Sequence, residues 1–143
     1  MKDLIFENHL VKVTFRSDGI MHIHYLTEEL TLEISREVFA FTREHSPWAI
    51  APLFLTGSDF MSDNKESKAF NSSPEVLQYC SAIAFLSDSL AKKLLANFFI
   101  TLNKGKIPMR FFNTEVEALK WLSGFPTLPL AEETKADTSK AGQ

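Results

Sequence analysis

Cys80–Leu122 decides the fold, and this stretch reads CSAIAFL, SDSLAKKLLANFFITLNKGK, IPMRFF and NTEVEALKWL in succession. Ser81 to Leu86 is a continuous apolar run, which is typical of a strand covered on both faces. Met109 to Phe112 predicts a second strand of the same kind. Between the two strands, large apolar side chains recur every four residues, at Leu90, Leu94, Phe98 and Leu102. This spacing predicts a long amphipathic helix that connects the two strands.

A closing helix follows the second strand. Thr114 and Glu117 have the spacing of a capping box, in which each side chain bonds a backbone N–H near the start of the helix. The apolar side chains of this helix predict a buried side made of Val116, Leu119 and Leu122. Across the whole stretch, the side chains that we expect in the core are Ile83, Phe85, Leu94 and Phe98.

The N-terminal part predicts a β-hairpin. His9 to Arg16 alternates between apolar and polar residues, as a half-buried strand does. Ser17-Asp18-Gly19 is a turn in which glycine supplies a positive φ, and Ile20 to Leu26 returns as the second strand. On that strand we expect His22 and His24 to face away from the apolar side, which carries Met21, Ile23 and Tyr25.

The middle of the chain alternates helices and strands. Thr31 predicts the N-cap of a helix that runs to about Glu44, and Ile50 to Thr56 predicts a continuous apolar strand. Short helices are expected at Asp63 to Phe70 and after Ser73, where Pro74 occupies the first helical position. The order of elements predicts an α/β domain with a mixed sheet of about five strands and helices packed on it. Residues 1–125 form this single domain, and residues 126–143 are expected to be a flexible tail.

Composition excludes some classes of function. The formal net charge of −3 disfavours a nucleic-acid partner, because such proteins carry a basic face. The single cysteine, Cys80, excludes an internal disulfide framework, and its position predicts a buried thiol rather than a nucleophile. No apolar run is long enough to span a bilayer, and the first residues have no signal-peptide pattern. We therefore expect a cytoplasmic protein.

The segment LAKKLLANFFITLNKGKIPMRFFNTEVEALKWL resembles the SpoIIAA-like group of the STAS/SEC14 type, and the resemblance extends over roughly Leu10 to Phe125. It implies a small sheet-and-helix domain that acts in regulation or in lipid binding. Antagonists of anti-sigma factors in this group carry a phosphorylated serine in an Asp-Ser-Ser-Gly turn after the third strand. Here the corresponding residues are Asp59 to Asn64, in which Asp63 or Asn64 takes the phosphoacceptor position and no glycine follows. Ser62 is a neighbour of that position, so we expect no phosphoserine switch at this turn.

Two histidines are the candidate metal ligands. His22 and His24 share one face of a strand, and His9 is expected near them on the paired strand. A zinc site needs three or four ligands, and no cysteine or acidic pair completes this one locally. The sequence therefore favours exposed strand histidines over a metal site.

The carboxyl ends of the predicted parallel strands are the candidate ligand or partner surface, because open α/β sheets bind ligands at that edge. The side chains there are rich in hydroxyl groups: Thr56, Gly57, Ser58, Asp59, Ser87, Asp88 and Ser89, with Asn113 and Thr114 after the last strand. They also stand where helices begin, and ordinary helix caps are the favoured explanation. The carboxylates of Asp59 and Asp88 count against an anionic ligand.

No catalytic motif or phosphate-binding glycine loop occurs in the sequence, so we expect no enzyme and no cofactor. The favoured function is a non-catalytic STAS-like regulatory or protein-interaction module, and the alternative is a small-molecule or lipid-binding domain of the SEC14-like type. A homodimer is expected because Phe98, Phe99 and Ile100 make the apolar stripe of the long helix wider than one packing face needs. The alternative is that the tail covers this patch through Phe125, Leu128 and Leu130.

Overall fold

The computed structural model describes residues 2–58, 62–86 and 107–130. The strands are β1 (Leu4–Glu7), β2 (Val11–Phe15), β3 (Met21–Tyr25), β4 (Glu29–Leu30), β5 (Trp48–Thr56), β6 (Ser62–Asp63), β7 (Cys80–Leu86), β8 (Met109–Phe112) and β9 (Leu128–Pro129). The helices are α1 (Leu32–His45), α2 (Lys65–Asn71), α3 (Pro74–Leu77) and α4 (Glu115–Leu122).

One mixed sheet of seven strands organises the domain, in the order β1-β2-β3-β5-β7-β8, with β9 paired to β5 outside this path. The pairs β1–β2 and β2–β3 are antiparallel, whereas β3, β5, β7 and β8 are parallel to one another. A separate two-stranded sheet joins β4 and β6. The α/β class, the mixed sheet and the hairpin are therefore confirmed. The sheet has two strands more than the five expected, because β1 and β9 add to it.

The first face of the sheet holds the larger core. Val11, Val13 and Phe15 of β2 have no exposed surface, and they pack with Val38 of α1 in one cluster. The remaining buried members of this cluster are Leu10, Met21, Ile23, Trp48, Ala51, Leu53, Leu77, Cys80, Ile83 and Met109. The alternation in β2 and β3 thus places apolar side chains under α1, as the sequence predicts. Ile83 is in the core as expected, and Phe85 packs against it while only partly buried.

The second face of the sheet packs on α4. Phe54, Ala84 and Ala82 of the central strands meet Ala118 and Leu122 of this helix. The small side chains allow the helix backbone to approach the sheet closely. The prediction that Val116 lies on the buried side is wrong, since it is 76% exposed. Ala118, Leu119 and Leu122 occupy the sheet side of the helix instead, and Val116 points into solvent because it lies about 200° around the axis from Ala118.

The helix caps follow the sequence closely. Thr31 accepts a hydrogen bond from the backbone N–H of Ile34, and Thr114 accepts one from that of Glu117. The Thr114 hydroxyl also donates to the Glu117 carboxylate at 2.9 Å, so this carboxylate bonds the threonine hydroxyl, whereas the capping box predicts a bond to the threonine backbone N–H. α1 ends at His45, one residue beyond the expected end.

The chain after α4 continues along β5. Trp48 pairs with Pro129 and Ile50 with Leu128, and the hydroxyl of Thr127 donates to the carbonyl of Gly19 at 2.6 Å. Residues 131–143 lie outside the described residues, so the division of the chain at residue 125 and the flexible tail stay predictions. The same holds for the core positions Leu94 and Phe98 and for the patch Phe98, Phe99 and Ile100.

Cys80 begins β7 as a free, buried thiol with 6% of its surface exposed, as expected. Burial disfavours the thiolate and raises the pKa of Cys80 to about 12. The native protein should therefore react with Ellman's reagent far more slowly than the unfolded protein, because the thiolate is the nucleophile. A stopped-flow comparison with and without guanidinium measures both rates. Equal rates would contradict a buried thiol.

Candidate functional site

The carboxyl ends of β3 and β5 meet because the two strands are parallel neighbours. His22 lies opposite Phe54 in the register, and His24 lies opposite Thr56. Residues opposite each other in a ladder point to the same face, so the two imidazoles and the Thr56 hydroxyl converge on the second face of the sheet. The sequence had identified the histidines and Thr56 separately. The parallel pairing of β3 with β5 is what joins them.

Both imidazoles bond the same hydroxyl. His22 Nε2 lies 2.8 Å and His24 Nδ1 lies 2.7 Å from Thr56 Oγ1. A threonine hydroxyl has one proton to donate, so it can donate to one ring while the other ring donates its own N–H to the oxygen. Thr56 thus ties β5 to both histidines of β3, and we call these three side chains the histidine clamp. The expectation of exposed strand histidines is wrong, since both side chains are partly buried.

The environment of His22 keeps its ring neutral. Burial is the main cause, and the charges of His24, Arg16 and Lys12 add to it, so the pKa of His22 is lowered to about 4. The ring also packs against Phe54, with 4.8 Å between ring centroids. A neutral, oriented imidazole at pH 7 can donate or accept a hydrogen bond, but it brings no positive charge to a ligand.

The depressed pKa of His22 makes stability depend on pH. Between pH 6.5 and about 4, His22 binds a proton in the unfolded protein, where its pKa has the ordinary value of 6.5, but stays neutral in the folded protein. The free energy of unfolding should therefore fall as the pH drops from about 6.5 to about 4. We expect a loss of about 1–2 kcal/mol, below the full value of the shift because the ring is only partly buried and solvent screens it.

Urea melts of the wild type and His22→Gln over this pH range measure the effect, and the variant should have the shallower acid slope. His9→Gln is the matched control, because it removes an imidazole whose side chain is 76% exposed. An identical slope for wild type and His22→Gln would contradict the assignment.

Within the described part of the chain, no further ligand stands beside these histidines to complete a metal site. His9 contacts Glu37 of α1 at 3.6 Å, so the expectation that it joins His22 and His24 is wrong. It precedes β2 and turns toward α1, which packs on the opposite face of the sheet. Across the described residues, no group of three or more His, Cys, Asp and Glu side chains is placed to hold a metal ion.

The two histidines belong to a larger surface, here called the open sheet face, which consists of Ile5, Lys12, Thr14, His22 and His24. The register aligns Ile5 with Thr14, Thr14 with His22, and Lys12 with His24. Ile5 is 57% exposed and Lys12 is exposed as well, whereas the other three side chains are partly buried. α4 packs on β5, β7 and β8, so it covers the adjacent half of this face of the sheet.

The other predicted site residues are dispersed. Gly57 and Ser58 follow Thr56 directly and are partly buried, and Thr114 serves as the N-cap of α4 with Asn113 exposed before it. The other members of the predicted strand-end surface, Asp59, Ser87, Asp88 and Ser89, lie outside the described residues. Of the predicted set, the structure thus brings Thr56 together with the histidines.

Sequence reasoning missed a groove on the other side of the domain, between α1 and the pair α2–α3. Its volume is about 470 Å³, and its lining consists of Arg36, Phe39, Ala40, Arg43, Phe70 and Glu75. The signal in the sequence is the i, i+3, i+4, i+7 spacing of the four α1 residues, which places them on one side of the helix. This set is called the α1 groove below.

Comparison with known protein families gives a match. A family model described as a domain of unknown function, DUF7793, matches residues 14–126, which is most of the chain. The chain belongs to this DUF7793 family. The matched range contains β3, β5, the two histidines with Thr56, and the whole α1 groove.

No curated protein and no solved structure matches the chain. In the part of the chain that the structure describes, none of the helices of the DUF7793 domain has the length and apolar character needed to cross a membrane.

Proposed function

We propose that this DUF7793 domain is a non-catalytic regulatory or protein-interaction module of the STAS-like type, and that a protein partner binds its open sheet face. The observation that carries the proposal is the exposure of Ile5 and Lys12 beside partly buried Thr14, His22 and His24 on adjacent strands. Sites for small molecules are concave, whereas the outer face of a three-stranded sheet is broad and gently twisted. A broad exposed surface suits another protein.

The composition of the open sheet face also supports a protein partner. Ile5 contributes apolar area, Lys12 contributes a charge, and the histidines and Thr14 contribute hydrogen-bonding groups. Protein interfaces of the non-obligate kind have a mixture of this sort, with an apolar part and a polar rim. The clamp on Thr56 holds the two rings in fixed positions, so little side-chain entropy is lost when a partner binds them.

A pair of matched variants tests the proposal. Thr14→Arg places a long charged side chain on the open sheet face, and Val116→Arg adds the same charge at an exposed position of α4. Each protein is immobilised, and the proteins that it retains from a cell lysate are quantified by mass spectrometry. We expect a set of proteins that the wild type and Val116→Arg retain and that Thr14→Arg loses. Equal retention by all three would overturn the proposal.

The alternative function is a small-molecule or lipid-binding domain of the SEC14-like type. The α1 groove favours it by volume, since about 470 Å³ is within the usual range for ligand pockets. Its lining disfavours an acyl chain. Binding one would remove water from two guanidinium groups and one carboxylate without giving them new hydrogen-bond partners. Native mass spectrometry of the purified protein distinguishes the two functions, because a co-purified lipid would support the alternative.

We also propose that the domain forms a homodimer through Phe98, Phe99 and Ile100. The support is the width of the apolar stripe in the sequence of this segment. Sedimentation velocity should give a dimer for the wild type and a monomer for Phe99→Asp. A monomeric wild type at micromolar concentration would rule out the dimer.

A further inference from the structure

The α1 groove has an aromatic floor built from two helices. Phe39 of α1 and Phe70 of α2 both line the groove, and their ring centroids are 5.7 Å apart. The centroid of Phe39 also lies 5.8 Å from that of Tyr79, which precedes β7. Phe39, Phe70 and Ala40 give the groove an apolar middle.

An arginine lies at each end of this floor. The guanidinium carbon of Arg36 is 5.9 Å from the centroid of the Phe70 ring, and that of Arg43 is 3.7 Å from the centroid of Tyr79. Both are cation–π contacts, in which a guanidinium lying over a ring keeps its N–H groups available at its edge. Two helical turns separate the two arginines, which corresponds to about 10 Å along α1.

Neither arginine has a carboxylate partner in the ranges 2–58, 62–86 and 107–130. Arg43 donates one N–H to the carbonyl of Trp48 at 3.1 Å, which fixes the side chain without neutralising it. Burial is the main cause that lowers the pKa of Arg43. A partly desolvated cation whose partners are a carbonyl and an aromatic ring gains much from a carboxylate, because charge-assisted hydrogen bonds are the strong ones.

We propose that the α1 groove binds an acidic segment of a partner protein, with carboxylates at the Arg36 and Arg43 ends and an apolar side chain on the aromatic floor. This proposal rests on the proposed function as an interaction module and names the chemistry of one partner. The distance between the arginines corresponds to about three to four residues of extended chain, in which alternate side chains face the same side. A segment with a pair of acidic residues on each side of a short apolar pair therefore presents one carboxylate to each end of the groove and an apolar side chain between them.

Glu75 adds specificity to the α1 groove. Its carboxylate lines the same groove and carries the charge that an acidic segment must avoid. A segment with acidic residues along its whole length would place one of them near Glu75, and like charges at close range are unfavourable. The groove therefore selects acidic ends over a continuous acidic run.

The test uses the full chain and a fluorescein-labelled peptide in which a leucine and a phenylalanine stand between two pairs of glutamates. Fluorescence anisotropy measures its affinity for the wild type, Arg36→Glu, Glu75→Gln and the control Lys120→Glu. Lys120 is exposed on α4, and its reversal changes the net charge as much as that of Arg36 does. A second peptide with lysines in place of the glutamates controls for apolar binding.

We expect Arg36→Glu to weaken binding of the acidic peptide at least about tenfold, and Lys120→Glu to change it less than about twofold. Glu75→Gln should strengthen binding several-fold, a gain that a folding defect would not produce. Equal affinities of Arg36→Glu and Lys120→Glu would overturn the proposal. So would equally tight binding of the lysine peptide, or displacement of the acidic peptide by millimolar citrate, which would indicate a site for a small anion.

The failure of this inference and that of the proposed function have different signatures. If Thr14→Arg loses its protein partners while the peptide does not distinguish the groove variants, the inference fails and the interaction module stands. If the groove variants behave as expected and Thr14→Arg retains the same lysate proteins as the wild type, the open sheet face is excluded as the partner surface.

Discussion

Replacing Phe54 with alanine should lower the free energy of unfolding by about 3–5 kcal/mol, the usual range for a large aromatic side chain in a core. Phe54 has no exposed surface, and it occupies the second face of the sheet between Ala84 and α4. Ala82, Ala84 and Ala118 of the same cluster are too small to fill the space, so a cavity should remain. The loss therefore combines the transfer free energy of the ring with a cavity term.

Urea denaturation monitored by circular dichroism measures the loss from Phe54→Ala. Val116→Ala is the control on α4, where the side chain is 76% exposed, and it should change stability by less than about 0.5 kcal/mol. A loss below about 1 kcal/mol for Phe54→Ala would show that α4 does not pack on this face of the sheet.

Replacing Gly19 with alanine should destabilise the domain by about 1–3 kcal/mol, the usual range for a residue held in a rarely populated backbone region. Gly19 has a φ of +88° in the turn between β2 and β3, where glycine alone avoids strain. An added Cβ would also lie 2.7 Å from Oγ1 of Thr127. Strain in the turn and the clash with Thr127 thus act together.

A double-mutant cycle separates these two causes. Thr127→Ala removes the oxygen and its hydrogen bond to the Gly19 carbonyl. If the clash contributes, Gly19→Ala should be less destabilising in the Thr127→Ala background than in the wild type. Additive effects of the two substitutions would show that backbone strain alone explains the loss.

Local signals made most of the fold predictable from the sequence. Alternation identified β2, and Gly19 and Thr31 marked a turn and a helix start through their own backbone chemistry. β1 and β9 were missed for the opposite reason. Leu4–Glu7 and Leu128–Pro129 are too short to show a period, and they become strands through pairing with β2 and β5.

The candidate surfaces required information that no single segment contains. The sequence placed His22 and His24 on one face, but their partner Thr56 lies 32 residues beyond His24. Only the register of two parallel strands brings them together. The α1 groove is a similar case, because Phe39 and Phe70 come from separate helices whose packing decides the floor. Val116 shows a local failure, since an apolar residue near a helix start was assigned to the buried side and is exposed.

The bond between Thr127 and Gly19 has a consequence for how the domain folds. It joins residues 108 positions apart, and the neighbouring β9 occupies the Trp48 end of β5. On a ribosome, the β2–β3 hairpin can form early because its contacts are local, whereas this closure must wait for the residues that follow α4. Until then the backbone groups of Trp48 and Ile50 that β9 will bond remain available to other chains. The pairing of β9 with β5 is therefore a late step in folding. Before it forms, the unpaired backbone of β5 is open to pairing with the strand of another chain.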